Sequence, residues 1–181
     1  PDWIPRGQVT LLVAEPGVGK SALALHLAGC AFTGAAWPDD APMASETGPT
    51  VYCDTEGNER QLLDREQAWH LPEGALLVWD NRPRFDLQDS GCLLRAERLI
   101  ERRGCPLMVV DTLRGAFHGD ENSSEVGRML TPWTEMAGRT NVALVVVHHE
   151  RKSAKGARND GINCVRGSTA LVGLARSVIR L

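Results

Sequence analysis

The stretch LLVAEPGVGKSALALHLAG (Leu11–Gly29) runs from an apolar, strand-like segment through a glycine-bearing turn into a helix-like apolar pattern. Inside it, Ala14-Glu15-Pro16-Gly17-Val18-Gly19-Lys20-Ser21 has the spacing of a phosphate-binding loop, with Ala14 where a glycine usually stands. That first position mainly needs a small side chain, so alanine is a mild departure. In such a loop consecutive backbone N–H groups ring the phosphates, and the helix that follows points its positive end at them. Lys20 then supplies a point charge to the γ-phosphate and Ser21 an oxygen to Mg²⁺. The residues expected to hold a nucleoside triphosphate are therefore Glu15, Pro16, Gly17, Val18, Gly19, Lys20, Ser21 and Ala22, with ATP and Mg²⁺ as the cofactors.

Outward from this stretch the pattern alternates strand and helix. Apolar runs at 8–14, 50–56, 75–80, 106–112 and 142–149 read as strands. Helical spacing over 21–32, 60–70, 90–104 and 123–139 reads as the helices between them, and Pro132 predicts a kink or break in the last. LARSVIRL (Leu174–Leu181) reads as a closing strand, antiparallel or at an edge. Residues 37–49 are rich in Pro, Asp and Ser and read as a surface loop. Unbroken apolar strands separated by helices imply a sheet buried on both faces, that is, an α/β three-layer sandwich with a mainly parallel central sheet. Ligands of such sheets bind at the carboxyl ends of the strands. The polar residue that follows each strand is thus the informative one.

Asp111 ends the run LMVVD, and a carboxylate there is costly to bury without a cation. It fits a carboxylate that reaches Mg²⁺ through a bound water. Asp54 and Glu56 follow the run at 50–53, and either could polarise an attacking water. Strand alternation puts both on one face, so pattern leaves that choice open. His148 and His149 end the run at 142–147 and suit contact with a terminal phosphate. Adjacent histidines point to opposite sides of a strand and no third ligand has suitable spacing, which argues against a metal site there.

The chain has 181 residues, room for one well-buried domain, with 43% hydrophobic and 24% charged residues. Its formal charge of −3 gives no global attraction to nucleic acid, so any such contact must be local. Five cysteines without a CxxC spacing suit reduced thiols and a cytoplasmic protein rather than disulfides or zinc. No apolar run approaches the roughly 18 residues of a membrane span, and no signal peptide is visible. The sequence starts at Pro1 and stops inside an apolar run at Leu181, so the expectation is a single domain (1–181) excised from a longer protein.

Together AEPGVGKS, VYCDTEGN, LMVVDTLRG and VVVHHERK resemble the RecA-like P-loop ATPases, and in particular the RepA-type hexameric replicative helicases of plasmids and phages. The likeness spans residues 4–180, and VRGSTALVGLARSVIRL also looks like this group, in which an Arg-Gly-Ser motif precedes a closing helix and strand. The resemblance implies that Lys20 and Ser21 bind phosphate and magnesium, that Glu56 rather than Asp54 is the catalytic base, and that Asp111 is the acid at the magnesium. It further implies that His148 senses the γ-phosphate and that Arg166 is an arginine finger acting on a neighbouring subunit's nucleotide, in a homo-oligomeric ring, a hexamer. Two segments, 113–125 and 150–168, would face single-stranded DNA. The second carries Arg151, Lys152, Lys155 and Arg158 in a run without apolar period, suited to backbone phosphates. Only Phe117 and His118 of the first could stack on bases. Two alternatives use the same nucleotide residues: a regulatory or recombination-mediator ATPase of the KaiC or RadA sort, and a small-molecule phosphotransferase with 150–168 as its lid.

Overall fold

The computed structural model describes residues 3–42, 46–57, 59–80, 82, 84–119, 125–150, 165 and 169–181. Strand β1 (Val9–Ala14) leads through the glycine-bearing turn into α1 (Lys20–Thr33), and β2 (Thr50–Asp54), α2 (Glu59–Ala68) and β3 (Leu76–Val78) follow. Then come α3 (Ser90–Arg103), β4 (Leu107–Asp111), a short turn α4 (Leu113–Ala116), α5 (Glu125–Thr140) and β5 (Ala143–His149). Helix α6 (Thr169–Leu174) and strand β6 (Ser177–Arg180) close the chain. The strands form one six-stranded sheet in the order β3-β2-β4-β5-β1-β6, and every pair of these strands is parallel. The fold is therefore an α/β sandwich around a parallel central sheet, as the strand pattern implied, and it is consistent with the RecA-like P-loop type that the resemblance implied.

Its all-parallel sheet is covered on both faces, which is why β1, β2 and β4 are buried along their whole lengths. Alternation divides their side chains between two cores. Leu11, Val13, Cys53, Val110 and Val146 pack with Trp133, Leu130 and Ile100 on one face. Leu12, Tyr52, Val109, Val145 and Val147 pack with Leu25, Leu27 and Leu62, from α1 and α2, on the other. In α3 the buried residues Cys92, Ala96 and Ile100 recur every four positions, and the Asp89 side chain caps the helix by accepting from Gly91 N–H at 2.8 Å.

Two alternatives that the sequence left open are narrowed here. Helix α5 runs through Pro132 without a break. Pro132 and Arg128, whose carbonyl loses its helical donor, both lie on the exposed side, where water can satisfy that carbonyl. Strand β6 is an edge strand, but it is parallel to β1 rather than antiparallel. It follows α6, and a helix crossover returns a strand in the same direction. The Arg180 guanidinium pairs with the Glu150 carboxylate, tying β6 to the residue that follows β5. All four described cysteines are free and buried. No helix among the described residues is long and apolar enough to cross a membrane.

Candidate active site

At the carboxyl edge of the sheet, β1 ends in Ala14 and the chain turns through Gly17 (φ 83°) and Gly19 (φ 104°) before α1 begins at Lys20. Both glycines adopt the left-handed conformation that a Cβ disfavours. Space is not what demands them: nothing lies within 4 Å of a Cβ built at Gly17. The backbone itself must curl, so that the N–H groups at the start of α1 face inward.

Lys20 is buried at 6% exposure, and its ammonium donates to the carbonyls of Ala14 at 3.1 Å and Glu15 at 2.8 Å. Burial pushes its pKa down, while the negative charges of Asp111 and Glu56 push it back up. The lysine therefore feels both carboxylates that the sequence placed at other strand ends.

The ladder explains how they meet. Strands β2 and β4 are neighbours, and their register sets Asp54 beside Asp111. A single cleft of about 370 Å³ is lined by Pro16, Gly17, Gly19, Lys20, Ser21 and Ala22, together with Glu56, Asp111, Thr112 and His149. A small side cavity joins Ser21, Tyr52, Asp54, Glu56 and Asp111. Asp54 is buried at 7% exposure and its Oδ1 accepts from the Glu56 N–H at 3.1 Å, whereas Glu56 itself is exposed to the cleft. Glu15 and Val18 are not among the cleft residues. Glu15 contributes its carbonyl to Lys20, and Val18 is 51% exposed.

Several residues of the site were not singled out in the sequence. The Tyr52 hydroxyl donates to Asp111 Oδ2 at 2.7 Å, and the two residues are 1% and 8% exposed. Burial, then the Asp111 charge, holds the Tyr52 pKa well above its ordinary value, so the phenol stays a donor. Thr112 Oγ1 donates to Glu56 Oε1 at 3.2 Å. The peptide bond between Asp111 and Thr112 is cis. From α2 and the turn after it, Arg65 and Trp69 complete the cleft wall.

Two expectations fare differently. His148 is completely buried and does not line the cleft; His149 does. The reason is alternation along β5. His149 shares a face with Val145 and Val147, on the side of α1, while His148 shares the opposite face with Val146. Phe117 is buried in the core at 1% exposure and is not available for stacking, whereas His118 is exposed. Arg151, Lys152, Lys155, Arg158 and Arg166 lie outside the described residues.

The arrangement suits a nucleoside triphosphate with its divalent cation. The cleft has the volume of a small-ligand site, a helix N-terminus and a buried ammonium stand on one side, and carboxylates stand on the other. No match to a curated protein is found. A family model described as AAA domain (AAA_25) matches residues 1–155. The chain therefore belongs to this AAA domain family of P-loop ATPases.

Proposed function

We propose that the chain is the motor domain of a ring-forming ATPase that spends ATP to move along, or unwind, single-stranded DNA. The observation that carries the hydrolytic part is the shared cleft: Lys20 and Ser21 from the loop, Glu56 from the end of β2 and Asp111 from the end of β4 all line one space.

In this reading the triphosphate lies over the start of α1, with backbone N–H groups and Lys20 on its β- and γ-oxygens. Ser21 and, through a water, Asp111 would hold Mg²⁺, which when bound neutralises charge on the phosphates. Tyr52 fixes the Asp111 carboxylate by its hydrogen bond. Glu56 accepts a proton from a water as that water's oxygen bonds to the γ-phosphorus and the bond to the β–γ bridging oxygen breaks, giving ADP and inorganic phosphate. His149 in the cleft wall, rather than buried His148, stands at the strand end that faces the phosphate. Arg65 adds a second cation to the wall. Arg166 is the proposed finger acting across a subunit interface. Such an arginine contributes on the order of 10³-fold or more in rate and makes turnover depend on assembly.

The basic run at Arg151, Lys152, Lys155 and Arg158 supports contact with a phosphate backbone despite the net charge of −3. With Phe117 in the core, stacking contributes little, and charge should dominate binding. Steady-state ATP hydrolysis with and without single-stranded DNA, at low and high salt, tests the reading. Turnover should be low alone, rise with DNA, and lose that rise as salt increases. Hydrolysis indifferent to DNA at low salt would remove the nucleic-acid motor and leave an ATPase of another task.

A further inference from the structure

The ends of β2 and β4 are joined by more than their ladder. The Thr55 hydroxyl donates to the Thr112 carbonyl at 2.7 Å and accepts from the Thr112 N–H at 2.8 Å. The Thr55 N–H donates to the Asp111 carbonyl at 2.8 Å. Both threonines are buried, at 2% and 4% exposure. Parting them would take the Thr55 and Thr112 N–H groups from these acceptors, out of reach of water, so the contact behaves as a rigid joint. The Thr112 side-chain hydroxyl takes no part in that exchange; it donates to Glu56 Oε1.

Helix α4 starts at the residue after Thr112 and is fastened to the same joint. A Cβ added to Gly115 would lie 2.3 Å from Thr55 Oγ1 and 2.7 Å from the Thr55 carbonyl oxygen, so glycine is what allows α4 to lie this close. Arg84, from the segment before α3, donates from Nη2 to the Thr55 carbonyl at 2.9 Å and to the Gly115 carbonyl at 3.3 Å. The turn that carries Glu56, the residue that contacts its carboxylate, and α4 therefore form one mechanical unit.

We infer that Thr112 is a positioning residue for Glu56, its hydroxyl aiming the carboxylate, and that α4 sets where this hydroxyl stands through Gly115 and Thr55. The inference rests on Glu56 being the base of the reaction proposed above. Glu56 is exposed on a side chain with three rotatable bonds, and many of its rotamers point away from the phosphate. Thr112, by contrast, is β-branched and fixed by its backbone contacts, so its hydroxyl selects among those rotamers.

The test uses the full chain. Thr112→Val keeps the branched shape and removes the hydroxyl. It should lower kcat on the order of tenfold or more, the effect of losing a hydrogen bond to a charged group, while KM and the Kd of a fluorescent ATP analogue change by less than about a factor of two. Thr112→Ser, which restores the hydroxyl, should recover most of the rate. Gly115→Ala, which forces Thr55 away, should reproduce the kcat loss without the affinity loss. Glu56→Gln separates the two levels of the argument: if it turns over like wild type, the assigned base is wrong and the proposed reaction fails with it. If Glu56→Gln is inactive, any of three results overturns the positioning role. These are a wild-type or higher kcat in Thr112→Val, a serine variant as slow as the valine one, or a loss carried by Kd. Should Thr112→Val not fold, Gly115→Ala and Thr112→Ser decide: the role requires the first to lower kcat alone and the second to keep the rate.

Discussion

Tyr52→Phe removes one oxygen from the interior and leaves the ring in place. The lost hydroxyl sits 2.7 Å from Asp111 Oδ2, with both residues buried, so the change isolates one hydrogen bond to a carboxylate and opens no apolar cavity. Such a bond contributes about 1.5–3 kcal/mol when its acceptor is charged. At about 2–4 °C per kcal/mol for a chain of this size, the melting temperature should fall by about 3–12 °C. Thermal unfolding followed by circular dichroism measures it directly. A second readout follows from the place of Asp111 at the proposed cation site. Without Tyr52 the carboxylate loses its orientation, and binding of an ATP analogue should need more Mg²⁺ to reach half-saturation. A melting temperature equal to or above wild type, together with an unchanged Mg²⁺ dependence, would refute the claim that Tyr52 holds Asp111.

Lys20→Ala should abolish binding of the ATP analogue, while Glu56→Gln should keep binding and lose hydrolysis by about 10²-fold or more; equilibrium titration and phosphate release separate the two. Stability should decline in alkali. Burial raises the thiol of Cys53 well above its ordinary value and that of Cys105 to about 11, so the folded state keeps these protons longer than the unfolded chain. Their contribution is complete below about pH 9 and fades as pH climbs toward the folded values, by at most about 1.4 kcal/mol per pH unit for each thiol. Denaturant titrations across that range check it, and Cys105→Ala should flatten part of the slope. Finally, mixing Arg166→Ala with Glu56→Gln subunits should restore activity beyond either variant alone; no recovery would argue against a finger that acts between subunits.

What the sequence disclosed about this site follows from how local each signal is. The phosphate-binding loop is contiguous, so Gly17, Gly19, Lys20 and Ser21 could be read from spacing alone. Asp111 and the pair Asp54 and Glu56 were legible for a different reason: in a parallel sheet every strand delivers its carboxyl end to the same edge, so a polar residue after an apolar run is informative without knowledge of strand order. The preference for Glu56 over Asp54 came from the resemblance alone. Tyr52 was not legible, because its partner depends on β2 lying next to β4, and an aromatic in the middle of TVYCD reads as core. The histidines failed for a related reason. A strand buried on both faces shows no alternation in its sequence, so nothing in VALVVVHH tells which of His148 and His149 shares the face of α1. Arg65 and Trp69 reach the cleft only through the packing of α2. Phe117 looked like part of a loop, yet the short turn α4 folds it back into the core.

The register of β2 and β4 also explains why the site is built as it is. It sets Asp54 beside Asp111 at the sheet edge, and Glu56 follows two residues later. Carboxylates so close, with Asp54 and Asp111 buried, would repel one another and lose hydration, unless donors and cations compensate. Each finds compensation in a different element: Asp111 in the Tyr52 hydroxyl, Asp54 in the Glu56 N–H, Glu56 in the Thr112 hydroxyl. Lys20 supplies positive charge felt by both Glu56 and Asp111, which offsets part of what burial costs the ammonium. In the proposed reading a bound nucleotide takes this ammonium as a partner in place of the carbonyls of Ala14 and Glu15. A triphosphate alone would add negative charge to a space already lined by carboxylates. A divalent cation arriving with it offsets that added charge, and for that reason ATP affinity here should depend on Mg²⁺ more steeply than the contacts of the loop by themselves would require.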